Sequence, residues 1–131
     1  MTTTYRAVLA GTGGIDLVML VVAADEGVMP QTREHLDICG LLGVRHGLVV
    51  LNKIDLVEDP GWIEAVKEAL ARELAGSFLE GRPVVPVSSK TGLGLPELTA
   101  ALRQGAGDLP RRPLDAPAFM AIDRAFSIHG F

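Results

Sequence analysis

Two hydrophobic patterns alternate along the chain. Leu17 to Ala24 is an unbroken apolar run rich in β-branched residues, the signature of a strand buried on both faces in a parallel sheet. Leu48 to Leu51 and Val84 to Val87 repeat it. Between the first two runs, Pro30 suits a first helical position, Leu36, Cys39 and Leu42 recur at helical spacing, and Gly43 supplies a stop. Asp59 and Pro60 open a second helix as capping residue and first-turn proline, and Ile63, Val66, Leu70 and Leu74 form its apolar stripe ahead of Gly76. A third helix starts near Gly94, carries Leu95, Leu98 and Leu102 on one face, and is expected to run out at the Gly105-Ala106-Gly107 cluster. This order predicts an α/β fold: right-handed crossovers build a mostly parallel sheet of three core strands covered by three helices.

Beyond the third helix the pattern changes. Leu109 to Pro113 and Ala116-Pro117 have the proline density of a linker. Phe119 to Ile128 reads as one more, C-terminal strand, with nothing after Phe131 to pair with it. The expected organisation is a main unit over 1–108, a linker over 109–117 and the first strand of a further unit over 118–131. With 131 residues, 48% hydrophobic and 21% charged, the chain can bury one core and not two.

Charge and cysteine content narrow the classes. The net charge of −4 is mild and the basic residues are scattered, so no electrostatic footprint for nucleic acid stands out. Cys39 is alone, which excludes an internal disulfide and fits a reducing compartment. Met1 to Arg6 has no signal-peptide character, and the longest apolar run is far short of the roughly 20 residues that span a bilayer. A cytoplasmic protein without a membrane partner is expected.

In an open parallel sheet, ligands bind beyond the carboxyl ends of the strands. After Leu51 comes Asn52-Lys53-Ile54-Asp55, and after Val87 comes Ser88-Ser89-Lys90. A carboxylate at Asp55 can accept two parallel hydrogen bonds from the ring N–H and exocyclic amine of guanine. Adenine offers no such donor pair, and leaving the desolvated carboxylate unpaired costs on the order of 1–3 kcal/mol. Lys53 can lay its aliphatic stem along the base while its ammonium stays solvated, and Asn52 can tie the loop to neighbouring backbone. A lone Asn-Lys-x-Asp tetrapeptide arises by chance and usually marks a turn after a strand. Together, one βα unit apart and each at a strand's end, Asn52, Lys53, Asp55, Ser88, Ser89 and Lys90 form a candidate guanine site.

Asn-Lys-x-Asp and the Ser88-Ser89-Lys90 turn resemble the two guanine-specificity motifs of GTPases. In the second of these, the backbone N–H at the middle position, here Ser89, donates to the base carbonyl. Val8 to Val18 and Val21 to Leu36 resemble the corresponding stretch of the elongation factor Tu class. Within that class, Gly13-Gly14-Ile15-Asp16, Asp25-Glu26-Gly27-Val28 and Ala121 to Phe131 are most similar to selenocysteine-specific elongation factors, the last stretch resembling the first strand of their β-barrel second domain. The resemblance covers residues 8–131 and implies a partial P-loop-GTPase fold, GTP or GDP as ligand through its guanine, and, for the intact family, Mg²⁺, aminoacyl-tRNA and the ribosome. Elongation factor Tu itself or a sulfate-activation GTPase is the alternative parent.

The phosphate machinery is missing from the sequence. A Gly-x-x-x-x-Gly-Lys-[Ser/Thr] loop would be needed, and none of the three lysines, Lys53, Lys67 and Lys90, follows a glycine. Asp37 to Gly40 matches Asp-x-x-Gly only inside an expected helix. No catalytic residue and no metal ligand is assigned. The chain reads as a fragment, catalytically inert alone, that supplies guanine recognition. The rival reading is an assembly module without a nucleotide role, and self-association through an exposed strand edge is a further expectation. Other candidates have plainer explanations: Gly11, Gly13 and Gly14 precede a strand, His35 and Cys39 are two ligands short of a zinc site, Trp62 near a helix start is a packing residue, and Arg111 and Arg112 sit in the linker.

Overall fold

The computed structural model describes residues 14–111 and 113–118, with Ile122 and Ser127. The strand expected over Phe119 to Ile128 otherwise lies outside the described residues.

Each apolar run becomes a strand and each amphipathic segment a helix. In chain order these are β1 (Val18–Ala23), α1 (Pro30–Leu41), β2 (Gly47–Asn52), α2 (Pro60–Leu74), β3 (Val84–Pro86) and α3 (Leu95–Gly107), with a 3₁₀ turn at Ile54–Leu56. The sheet is parallel with order β1-β2-β3, pairing Val18 to Gly47 through Ala23 to Asn52, and Val49 to Val84 through Leu51 to Pro86. Proline at N1 opens α1 and α2 where the missing N–H costs nothing, and the Asp59 carboxylate caps α2 by accepting the Gly61 N–H at 2.8 Å.

Side-chain alternation puts two layers of helix on the sheet. On one face Val22, Val49 and Leu51 pack with Leu36 of α1 and with Val66, Leu70 and Leu74 of α2. On the other, Leu48, Val50 and Val87 lie under Leu98 and Leu102 of α3. Leu51, Leu70 and Leu79 are fully buried, each worth about 1.5–3 kcal/mol of transfer free energy, so the first face holds most of the fold. Arg33 of α1 donates Nη1 to the Glu73 and Ala75 carbonyls at 2.6 and 3.2 Å, satisfying orphan acceptors at the end of α2. Gly47 permits β1 to come close: a Cβ there would lie 2.6 Å from Leu79 Cδ2 and 2.7 Å from the Val18 oxygen.

One expectation changes. β1 is not buried on both faces, since Met19 and Val21 are 45% and 50% exposed while Val22 is buried. It is an edge strand of the described sheet, and α3 packs chiefly on β2 and Leu17. The third helix ends within its glycine cluster as expected, α3 closing at Gly107. A Cβ on Gly105 would stand 2.9 Å from Leu17 Cδ1, so the missing side chain lets the helix sit directly on Leu17, offsetting the roughly 1 kcal/mol propensity penalty of glycine.

Candidate functional site

Both loops named from the sequence leave the sheet at its carboxyl edge, side by side because β2 and β3 are neighbours. The Leu51 carbonyl accepts from Val87 N–H at 2.8 Å and the Val87 carbonyl from Ile54 N–H at 3.3 Å, so the ladder continues into the loops. Immediately past β2 the chain turns through Lys53, whose φ of 62° and ψ of 30° make it the one described non-glycine residue with positive φ. That left-handed geometry costs of order 1–2 kcal/mol in an L-residue, a kind of strain that concentrates at functional positions. It opens the 3₁₀ turn containing Asp55.

Side chains then fasten one loop to the other. Asn52 Nδ2 donates to Ser89 Oγ at 3.3 Å, and Ser89 N–H donates to Asn52 Oδ1 at 3.1 Å. Ser88 is fully buried. Its hydroxyl donates to Asp55 Oδ1 at 2.6 Å, a short charge-assisted bond, and accepts the Thr91 N–H at 3.1 Å. The Ser88 backbone is held as well, its N–H donating to Leu93 O and its carbonyl accepting from Gly92 N–H, both at 2.8 Å. Gly94, at φ +76°, closes this turn where any Cβ would collide with the Pro86 carbonyl.

The structure therefore brings Asn52, Asp55, Ser88 and Ser89 into one cluster. Lys53 points elsewhere for its charge partner: its ammonium lies 4.0 Å from Asp25 Oδ1 just past β1, both groups partly exposed. Lys90 is exposed and makes no ion pair among the described residues. Two details differ from the sequence reading. The Ser89 N–H, expected to be free for a base carbonyl, is engaged by Asn52, and the Ser89 hydroxyl is an acceptor for the same residue.

Sequence reasoning missed the third side of the cluster. Ala24, fully buried, donates its N–H to the Asn52 carbonyl at 2.8 Å and accepts Trp62 Nε1–H on its own carbonyl at 2.7 Å. Trp62, read as packing, ties α2 to the end of β1. Its acceptor, Ala24, lies 38 positions earlier, so the bond left no local signal. A hollow of about 290 Å³ opens beside this corner, lined among others by Val21, Gly27, Thr32, Asn52 and Lys53. Cys39 is buried away from the site, its thiol pushed up by desolvation, and among the described residues no group of three or more His, Cys, Asp or Glu could hold a metal. Asp37 and Gly40 both lie within α1, as expected of a coincidental match. No helix of the described residues is long and apolar enough to cross a membrane.

A parallel α/β sheet with two interlocked loops of this composition at its carboxyl edge defines a GTP-binding domain of the translation-factor kind. The family model of the elongation factor Tu GTP-binding domain matches residues 5–107, and the chain belongs to that family. It is 52% identical over 126 residues to the selenocysteine-specific elongation factor of Desulfomicrobium baculatum, covering 95% of this chain and 20% of the relative. It is 36% identical over 121 residues to translation initiation factor 2 subunit gamma of Thermococcus kodakarensis, covering 92% of this chain and 29% of that protein. Among solved structures, a bacterial selenocysteine-specific elongation factor superposes with a TM-score of 0.74 at 32% identity, over 82% of this chain and 18% of the other. Elongation factor SelB of Methanococcus maripaludis in complex with the GTP analogue GppNHp superposes with 0.75 at 29% identity, over 82% and 24%. The chain is a fragment-sized match to such factors, spanning about a fifth to three tenths of the length of these relatives.

Proposed function

We propose that this chain supplies the guanine-recognition part of a GTP-dependent translation factor resembling the one that delivers selenocysteyl-tRNA to the ribosome. The observation that carries the reading is the cluster itself: Ser88 Oγ holds Asp55 Oδ1 while Asn52 grips Ser89 twice, so two loops are preorganised as one surface. The arrangement fits the base. The Asp55 carboxylate, oriented by Ser88, accepts the ring N–H and exocyclic amine of guanine. The Lys53 stem lies along a base face. The Ser89 N–H exchanges its bond to Asn52 for one to the base carbonyl, where adenine would present an amine. Each mismatch costs on the order of 1–3 kcal/mol, so adenine is rejected by roughly a factor of ten or more.

Phosphate recognition has no counterpart in these residues, since no Gly-x-x-x-x-Gly-Lys sequence is present. Mg²⁺ accompanies the nucleotide in this family, but no described cluster would hold it, and no step of base recognition runs through it. Contacts with aminoacyl-tRNA and the ribosome belong, on this reading, to the complete factor. The test is a nuclear magnetic resonance titration of the 131-residue chain with GDP and ADP. Shifts at Asn52, Asp55 and Ser89 with GDP alone, lost in Asp55→Ala, support the reading. Equal or absent responses would establish an assembly module instead.

A second property follows from β1. Parallel pairing directs the Val18 and Ala24 N–H groups to β2, at 3.0 and 2.8 Å, so the intervening Met19 and Val21 backbone groups face the outer edge. No charge or proline interrupts Val18 to Ala24. Such an edge pairs with another copy unless it is covered. Val21→Lys should abolish concentration-dependent association in light scattering, and a monodisperse unsubstituted chain at tens of micromolar would refute the idea.

A further inference from the structure

Four residues stand in one hydrogen-bonded line from α2, past the end of β1, to β2 and the loop after β3. The Trp62 indole N–H donates to the Ala24 carbonyl at 2.7 Å, the Ala24 N–H donates to the Asn52 carbonyl at 2.8 Å, and the Asn52 side chain clasps Ser89 at 3.1 and 3.3 Å. The middle of the line is inflexible. Ala24 is fully buried, so neither of its backbone groups has water as an alternative partner. The residue after it, Asp25, is the one that faces the Lys53 ammonium. A shift of Ala24 therefore moves both members of the Asn52-Lys53 pair, one through the backbone and one through charge.

Trp62 is well placed to set that shift. It sits in the first turn of α2, whose start is fixed by the Asp59 cap on Gly61 and whose Val66, Leu70 and Leu74 are locked in the core. The indole reaches from this rigid base to the end of β1. It is 47% exposed, so its ring is only partly covered, and the hydrogen bond to Ala24 is its specific polar contact. An aromatic ring of any kind would pack there. Phenylalanine has no donor there, and the tyrosine hydroxyl stands beyond the ring, so neither reproduces the indole N–H.

We propose that Trp62 is a positioning residue for guanine discrimination, acting through Ala24 and Asn52 on the Ser89 N–H and on Lys53. It touches no ligand itself. The proposal rests on the guanine reading above and deepens it: specificity is set from α2 as well as from the two loops.

Trp62→Phe keeps an aromatic ring and removes the donor. In the full chain it should leave the circular dichroism spectrum unchanged and weaken GDP by about three- to tenfold, the worth of one net hydrogen bond, without changing the response to ADP. Amide exchange at Ala24 and Ser89 should quicken by a similar factor with no nucleotide present. Leu74→Ala, at the far end of the same helix, should lower the melting temperature while leaving the GDP-to-ADP ratio as it was. In the unsubstituted chain the Trp62 indole N–H resonance should move with GDP and stay with ADP, a readout that does not depend on any variant folding.

Three results overturn the proposal while leaving guanine recognition intact: unchanged exchange at Ala24 and Ser89 in Trp62→Phe, unchanged GDP affinity in that variant where Asp55→Ala abolishes binding, or a GDP loss that Leu74→Ala reproduces. An indole resonance indifferent to GDP does the same. Absence of any GDP preference in the unsubstituted chain removes the guanine reading and this proposal with it, and is visible before any Trp62 variant is made.

Discussion

Ser88→Ala deletes one oxygen from the centre of the site, and the structure fixes what that oxygen does. It donates to Asp55 Oδ1 at 2.6 Å and accepts the Thr91 N–H at 3.1 Å from a fully buried position. A hydrogen bond to a charged group contributes about 1.5–3 kcal/mol, and a lost neutral one about 0.5–1.5. Asp55 and Thr91 are themselves exposed, so water replaces part of both bonds. The expected net loss is about 1–2 kcal/mol in stability. With a urea dependence of about 1–3 kcal/mol per molar, the unfolding midpoint should fall by roughly 0.3–2 M, followed by the fluorescence of the one tryptophan. Ser88→Cys, which keeps the volume with a weaker donor, should fall between. GDP affinity should drop with the same ordering, because a carboxylate released from Ser88 must be reordered by the base. A midpoint unchanged within error, or a drop in stability with undiminished preference for GDP, would refute the claim that Ser88 orients Asp55.

Asp55→Asn should weaken guanine nucleotides and improve xanthine nucleotides relative to them, since xanthine carries a carbonyl where guanine has its amine; competition in the same titration reads the order. Gly94→Ala should destabilise by at least about 2 kcal/mol in urea unfolding, combining a left-handed backbone with a collision against the Pro86 carbonyl. Arg33→Ala should lose about 1–2 kcal/mol through the uncapped end of α2 while leaving nucleotide preference unchanged. The purified chain should release no phosphate from GTP above background, because positioning and electrostatic stabilisation supply nearly all catalysis in phosphoryl transfer; release abolished by Asp55→Ala would contradict this. Burial raises the Cys39 thiol, so the folded chain keeps its proton where the unfolded chain gives it up. Stability should accordingly decline as pH rises past the ordinary thiol range, a decline that Cys39→Ala should flatten in unfolding curves.

The three strands and three helices were legible because their signals are local: β-branched runs, proline at N1 and a capping Asp59 each act within a few residues. The paired motifs were legible for the same reason, as both follow directly from strand ends. What escaped depends on neighbours remote in sequence. The exposure of Met19 and Val21 follows from their place on an edge strand, which the residues themselves do not record. The glycines of α3 mark its end, but the close approach of Leu17 to Gly105 has no local signal. Trp62 gave a packing signal because an indole's donor has no sequence signature apart from its acceptor, and Ala24 lies 38 positions away. The Ser89 hydroxyl was invisible for the same reason, its partner Asn52 lying 37 positions earlier.

Those separations bear on the order in which the molecule comes into being. The bonds that join the two loops close stretches of 33 and 37 residues, and each depends on β3 having docked beside β2. The backbone hydrogen bonds of α1 and α2 join nearby residues, whereas contacts of long sequence separation must first overcome loop-closure entropy and form late. On a growing polypeptide, Asn52 to Asp55 emerges as an ordinary turn with its carboxylate unheld. It becomes half of an interlocked pair of loops only after Val84 to Ser89 has been synthesised and laid against β2. The nascent chain thus passes through a stage in which the first motif is complete in sequence and still unfastened.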